Sequence, residues 1–233
     1  MICCMKRTLF VVFLLLSFSS VADDIDNAMQ KLESKWANIY YNSKISNKKA
    51  AYTALLNESI ELSKNHPERA EFYFWRAVIT ATNAEHQNGI SALIAINHAR
   101  DLLLKAIALD RNTMSGSAFV TLGTLYYLSP GWPIAFGDPD KAEKYLKIAL
   151  KINPEGIDSN YYYGDFLLTQ NEPEKAVKYF EKAIRAPVRK DQEFADNQLK
   201  AEAKQAFSKL ARLQTRQQKN LIASNFSISP TIP

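Results

Sequence analysis

Two cysteines, Cys3 and Cys4, are all that the 233 residues contain, and both sit at the extreme N-terminus. No disulfide framework and no thiol nucleophile can be drawn through the body of the chain. Glycine is almost as scarce, with 7 residues, all between Gly89 and Gly164, and proline numbers 9. Collagen-like, Gly-rich and many-turned β architectures are excluded on that count. The three histidines, His66, His86 and His98, include no pair three or four residues apart that would offer two imidazoles to one metal. Neither sign of charge dominates: Lys+Arg 29 stand against Asp+Glu 24, and a net +5 is too small to imply a polyanionic partner. What is present, 47% hydrophobic and 23% charged residues, is the composition of one folded domain with its own core.

Long apolar runs are missing too, with one exception at the N-terminus. Lys6 and Arg7 precede the run Leu9–Phe18, which is about ten residues and shorter than the roughly 20 that a membrane span needs. Ser20 and Ala22 occupy the small −3 and −1 positions of a signal-peptidase site. A signal peptide over 1–22, cleaved before Asp23, is therefore expected, with retention as an N-terminal anchor the alternative. Asp23 stands where a lipoprotein would carry its cysteine, so lipid anchoring is not expected. The exported chain would have no cysteine, which suits the periplasm.

From residue 24 onwards the apolar residues recur at helical spacing with no period-2 stretch. The pattern predicts helices over 24–43, 47–65, 67–86, 89–110, 114–129, 138–152, 157–170, 173–186 and 192–220. The breaks fall at Pro67, Gly89, the 130–139 stretch, Pro154-Glu155-Gly156, Pro173 and Pro187, where proline suits helix ends and first turns. Asp138 followed by Pro139 reads as an N-cap with proline at the first helical position.

The helices repeat in pairs. Asn160, Tyr163, Gly164 and Leu167, then Ala176, Phe180 and Ala183, carry the small and bulky residues of a tetratricopeptide unit at its spacing of about 34 residues. Phe119, Leu122, Gly123 and Tyr126 with Ala142, Leu146, Ala149 and Pro154 give the preceding unit, opened by a loop over 129–138. Tyr73, Ala77 and Thr80 with Ala99, Leu103 and Ala106 give a weaker one. The best repeats thus cover 67–110, 114–154 and 157–187, while 24–65 carries the pattern only faintly. Leu199, Ala203, Ala206, Leu210 and Leu213 form a single apolar stripe on 192–220, the form of a capping helix. The uncharged, proline-containing end, 223–233, reads as a flexible tail.

Two runs go beyond the general repeat pattern. Leu128-Ser129-Pro130-Gly131-Trp132-Pro133-Ile134-Ala135-Phe136-Gly137-Asp138 and Asn153-Pro154-Glu155-Gly156-Ile157-Asp158-Ser159-Asn160-Tyr161-Tyr162-Tyr163-Gly164 resemble the bacterial TRAP-transporter T-component, or TatT, proteins, as do Ala195-Asp196 and Ala201-Glu202-Ala203. The resemblance covers roughly 70–215. It implies an all-helical periplasmic protein, a trimer with a central pore, and a substrate-binding protein of a tripartite transporter as partner. Members of that group are typically lipoproteins, and the chain departs from them at Asp23.

Catalytic signatures are absent: there is no Gly-x-Gly-x-x-Gly, no phosphate loop, no His-Glu-x-x-His and no Gly-x-Ser-x-Gly. No catalytic residue, cofactor or metal is expected. Groove-facing positions of the paired helices include Phe74, Val78, Val120, Thr124, Tyr127, Tyr161 and Asp165, a mixture that suits a peptide segment or an apolar ligand. In the 129–138 loop, Trp132 and Phe136 are expected to fold back onto the core, the alternative being a partner-facing lid. The basic stretch from Arg185 to Lys219 is read as a solvated helix face rather than a nucleic-acid surface, since no aromatic platform is interleaved. The sequence therefore predicts an all-α, tetratricopeptide-like solenoid of antiparallel helix pairs with a C-terminal capping helix. Its expected role is that of a non-enzymatic periplasmic adaptor, with a general cell-envelope assembly scaffold as the alternative.

Overall fold

In a computed structural model, residues 24–226 are described. The expected signal segment, both cysteines and the chain beyond 226 lie outside the described residues. Those residues form α1 (24–41), α2 (Lys48–Asn65), α3 (Ala70–Ala84), α4 (Gly89–Leu109), α5 (Ser117–Leu128), α6 (Pro139–Ile152), α7 (Ile157–Thr169), α8 (Pro173–Arg185) and α9 (Glu193–Phe226), and among them there is no strand. Consecutive helices pack side by side, and α3 with α4, α5 with α6 and α7 with α8 make the most intimate pairs. Helix α5 also touches α7 directly, so the first helices of successive pairs share one face of the array. This is the solenoid that the sequence predicts.

Small residues fix the spacing. Ala77, Ala99, Ala106, Ala142, Ala149, Ala176 and Ala183 are all completely buried at the helix contacts. At Gly123 on α5, an added Cβ would lie 2.7 Å from Leu146 Cγ on α6; at Gly164 on α7 it would lie 3.1 Å from the Phe180 ring on α8. One apolar cluster runs from Leu32 to Leu210 through every pair, as expected of repeats that bury their faces only against neighbours.

The caps follow local chemistry. Asn47, Asn88 and Asp138 each accept a hydrogen bond from the backbone N–H three residues on, and Pro139 opens α6. Helix α5 starts at Ser117 rather than 114, because Met114, Ser115 and Gly116 all have left-handed φ values of 50°, 53° and 88°. Helix α3 starts at Ala70 because Pro67–Arg69 forms a turn closed by Arg69 N–H on the His66 carbonyl at 3.1 Å. Helix α9 continues to Phe226, so 223–226 are helical rather than part of a tail. Its stripe is buried at Leu199, Ala203 and Leu210, whereas Leu213 lies half exposed beyond the last pair.

Replacing Gly123 by alanine forces Leu146 and the Ala142 carbonyl to move. We expect Gly123→Ala to lose about 1–3 kcal/mol in urea denaturation, in spite of the helix propensity gained. Gly89→Ala, with nothing within 4 Å, is the control and should be neutral or stabilising by up to about 1 kcal/mol.

Candidate functional site

The array curls around a cavity of about 490 Å³ on the side of the first helices. Its walls come from α1, α3, α4, α5, α7 and the start of α9, so both ends of the chain contribute. Tyr41 of α1 meets Phe194 of α9 edge-on, with ring centroids 6.0 Å apart, and closes the two ends across the mouth.

The apolar wall is built from Phe74 and Val78 on α3, Ile96 on α4 and Val120 and Leu125 on α5. A patch of rings adjoins it. Trp36 stacks on Tyr40 at 5.3 Å and tilts against Trp75 at 5.7 Å, and Trp75 in turn meets Phe74 at 5.3 Å. Trp36 Nε1 donates to Thr82 Oγ1 at 3.3 Å, whereas the buried Trp75 Nε1 has no acceptor among the described residues. Burial raises the hydroxyl pKa values of Tyr40, Tyr41 and Tyr162, so these cavity phenols stay neutral.

The opposite wall is polar. Arg189 donates from Nε and a terminal nitrogen to Asp196, at 3.1 and 2.6 Å, and the Arg189 backbone N–H donates to the same carboxylate at 2.8 Å. Burial works against the Arg189 charge, but these bonds and nearby Asp158 and Glu33 more than offset it and raise its pKa. Asp158 accepts from the Ser117 hydroxyl and from Ser159 N–H, the latter at 2.9 Å. Glu33, Ser117, Asp158, Gln192 and Asp196 are all buried and all line the cavity. The left-handed turn at 114–116 serves this wall: it places Met114 in the lining and delivers Ser117 to Asp158.

Of the predicted groove residues, Phe74, Val78, Val120 and Thr124 line the cavity, and Tyr127, Tyr161 and Asp165 do not. These three gather where α5, α7 and α9 meet. The Tyr127 hydroxyl donates to Asp165 at 2.7 Å, and Tyr161 lies close enough to Glu202 for the two to shift each other's pKa. Burial raises both phenols, assisted at Tyr127 by Asp165 and at Tyr161 by Glu202. Sequence reading missed Trp36, Tyr40 and Glu33, which belong to the faint first pair, and Arg189, which lies between helices.

The loop splits its two rings. Phe136 folds back as expected, between Tyr126 at 5.2 Å and the Arg100 guanidinium at 4.7 Å. Trp132 instead stands 88% exposed, beside exposed Ile134, while Leu128 and Pro130 at the loop's root reach the cavity. The loop is held by Gly137 N–H on the Pro130 carbonyl and Asp138 N–H on the Tyr126 carbonyl, both 2.9 Å, which turns Trp132 away from the core. Among the described residues, no three His, Cys, Asp or Glu side chains gather to hold a metal ion, and no helix is long and apolar enough to cross a membrane.

Burial raises the Glu202 carboxyl pKa; the nearby Tyr161 hydroxyl opposes the shift and Asp165 adds to it. A carboxyl with a raised folded pKa contributes stability below its unfolded value that is lost as pH climbs through the folded one. Glu202→Gln should therefore gain stability over the parent as pH rises from about 4 to about 7, read by denaturation at both values. Equal differences at the two would contradict it.

Residues 134–188, spanning α6 to α8, match the tetratricopeptide repeat family. No curated protein sequence matches the chain. Two crystal structures of MamA are similar: one at 20% identity and a TM-score of 0.43, covering 74% of this chain and 94% of the other, and one at 19% and 0.42, covering 84% and 98%. The matched repeat segment and the paired packing together make the fold an α-solenoid of tetratricopeptide type, the architecture of protein–protein interaction scaffolds.

Proposed function

We propose that the chain is a non-enzymatic adaptor exported to the periplasm, an accessory of a TRAP-type solute uptake system. In this reading its inner cavity binds an apolar ligand or a segment of a substrate-binding protein, and it assembles as a trimer. The observation that carries the reading is the cavity of about 490 Å³, closed by the two ends of the solenoid and walled by Phe74, Val78 and Val120. That volume lies within the range of small-molecule sites. The resemblance of the 128–138 loop and the 153–164 run to T-component proteins supplies the transporter. Trp132 and Ile134, exposed at the rim, supply a partner-facing patch of the kind that anchors interfaces.

The test is recovery from a periplasmic extract. The exported chain, beginning at Asp23, should retain a solute-binding protein, and Trp132→Ala should cut that retention at least about tenfold, as loss of a tryptophan anchor does. Recovery of envelope-assembly factors without a solute-binding protein would establish the general-scaffold reading instead. Light scattering on the eluted protein should give a trimer, and a monomer at high concentration would remove the pore.

A further inference from the structure

We propose that the cavity takes a small amphiphilic cation, with an ammonium group seated between the ring patch and the carboxylates and an apolar body lying along α3 and α5. This deepens the ligand-binding part of the reading above and rests on it.

The first observation is charge. The whole chain is basic, at +5, yet Glu85, Asp158 and Asp196 in the cavity lining stand against one cation of that lining, Arg189, and no lysine lines it. Arg189 makes its two side-chain bonds to Asp196 and acts on Asp158 only through space. The hydrogen bonds that Asp158 itself receives come from neutral donors, the Ser117 hydroxyl and the Ser159 N–H. A wall with this balance attracts a cation and repels a carboxylate, and partial burial strengthens the effect over its value in water.

The second observation is the rings. Trp36, Tyr40, Tyr41, Phe74, Trp75 and Tyr162 all line the same cavity. The face of an aromatic ring is negative, and rings around an ammonium are a standard means of holding it out of water. Trp36 and Tyr40 lie four apart on α1, and Glu85 is close enough to act on the Tyr40 hydroxyl, so a carboxylate and the rings adjoin in one lining. The phenols remain uncharged and keep that property. Most of the remaining wall is apolar, with a few hydroxyls and Gln192 among it, which suits a hydrocarbon body better than a sugar or a phosphate.

The experiment is isothermal titration of the exported chain with octyltrimethylammonium, octanoate and octanol, each below its micelle concentration. Tryptophan quenching is followed in parallel in a Trp132→Phe background, which leaves Trp36 and Trp75 as the reporters. Octyltrimethylammonium should bind at one site and at least about tenfold more tightly than octanoate. Asp158→Asn should weaken the ammonium about tenfold while leaving octanol within about twofold. Trp36→Leu should weaken the ammonium about fivefold. Should Asp158→Asn fail to fold by circular dichroism, Glu85→Gln at the exposed rim is the second variant, with an expected loss of about threefold. Octanoate binding as tightly as the ammonium, no saturable ammonium binding by the folded chain, or unchanged affinity in the carboxylate variants would each overturn the inference. Ammonium binding by a chain that recovers no solute-binding protein would uphold it and remove only the transporter reading.

Discussion

Close approach of paired helices governs everything else in this molecule. The backbone of α5 can lie against α6 only because Gly123 leaves room for Leu146, and α7 lies against α8 because Gly164 leaves room for the Phe180 ring. Fully buried alanines repeat the arrangement along the array. With each pair held at a short distance, every added pair turns the stack by a similar amount, and the first helices α3, α5 and α7 come to share an inner face. The cavity is a geometric result of that curl. Its lining is chosen by residues one position round the helix from those that make the contacts.

A second constraint closes the curl. Left to the repeats alone, the inner face would be an open groove. The segment entering α9 carries Arg189, locked to Asp196, into the interior beside Asp158, and Phe194 there meets Tyr41 from the other end of the chain. Removing Asp196, which is almost completely buried, would take away both side-chain bonds of the half-buried Arg189, so this pair costs more to break than a fully exposed bridge does. The basic remainder of α9 projects past the last pair, where Leu213 is half exposed.

The repeat helices were legible in the sequence because alanine and glycine positions report backbone distance directly. The Gly156–Asn160 run was legible as a motif but not as a structure. Its residues stitch the turn before α7, with Asn160 Nδ2 donating to the Pro154 and Gly156 carbonyls and Ser159 Oγ donating to the Asn153 carbonyl. The first pair was faint for a physical reason. In α2 the close-contact positions are Ser59 and Ser63, which are small enough for the contact but hide their hydroxyls on the Leu56 and Ile60 carbonyls. Serine reads as polar in a pattern search, so the helix lost its signal and α1, which brings Glu33, Trp36 and Tyr40 to the cavity, lost its context. Trp132 was misjudged because burial is the usual fate of a tryptophan, whereas backbone bonds within the loop, from Gly137 and Asp138 and from Ile134 and Ala135 to the Gly131 carbonyl, fix the turn that carries it outward.

Three consecutive left-handed residues, two of them with side chains, are an expensive way to begin a helix. Met114 and Ser115 each carry a strain of about 1–2 kcal/mol that a glycine would not. The surrounding packing holds this bend taut, and Met114 forms part of the lining. The wall of the cavity is thus sprung at one point. The lining beside Met114 therefore rests on backbone that its surroundings keep out of its preferred conformation, unlike the lining carried by the regular helices.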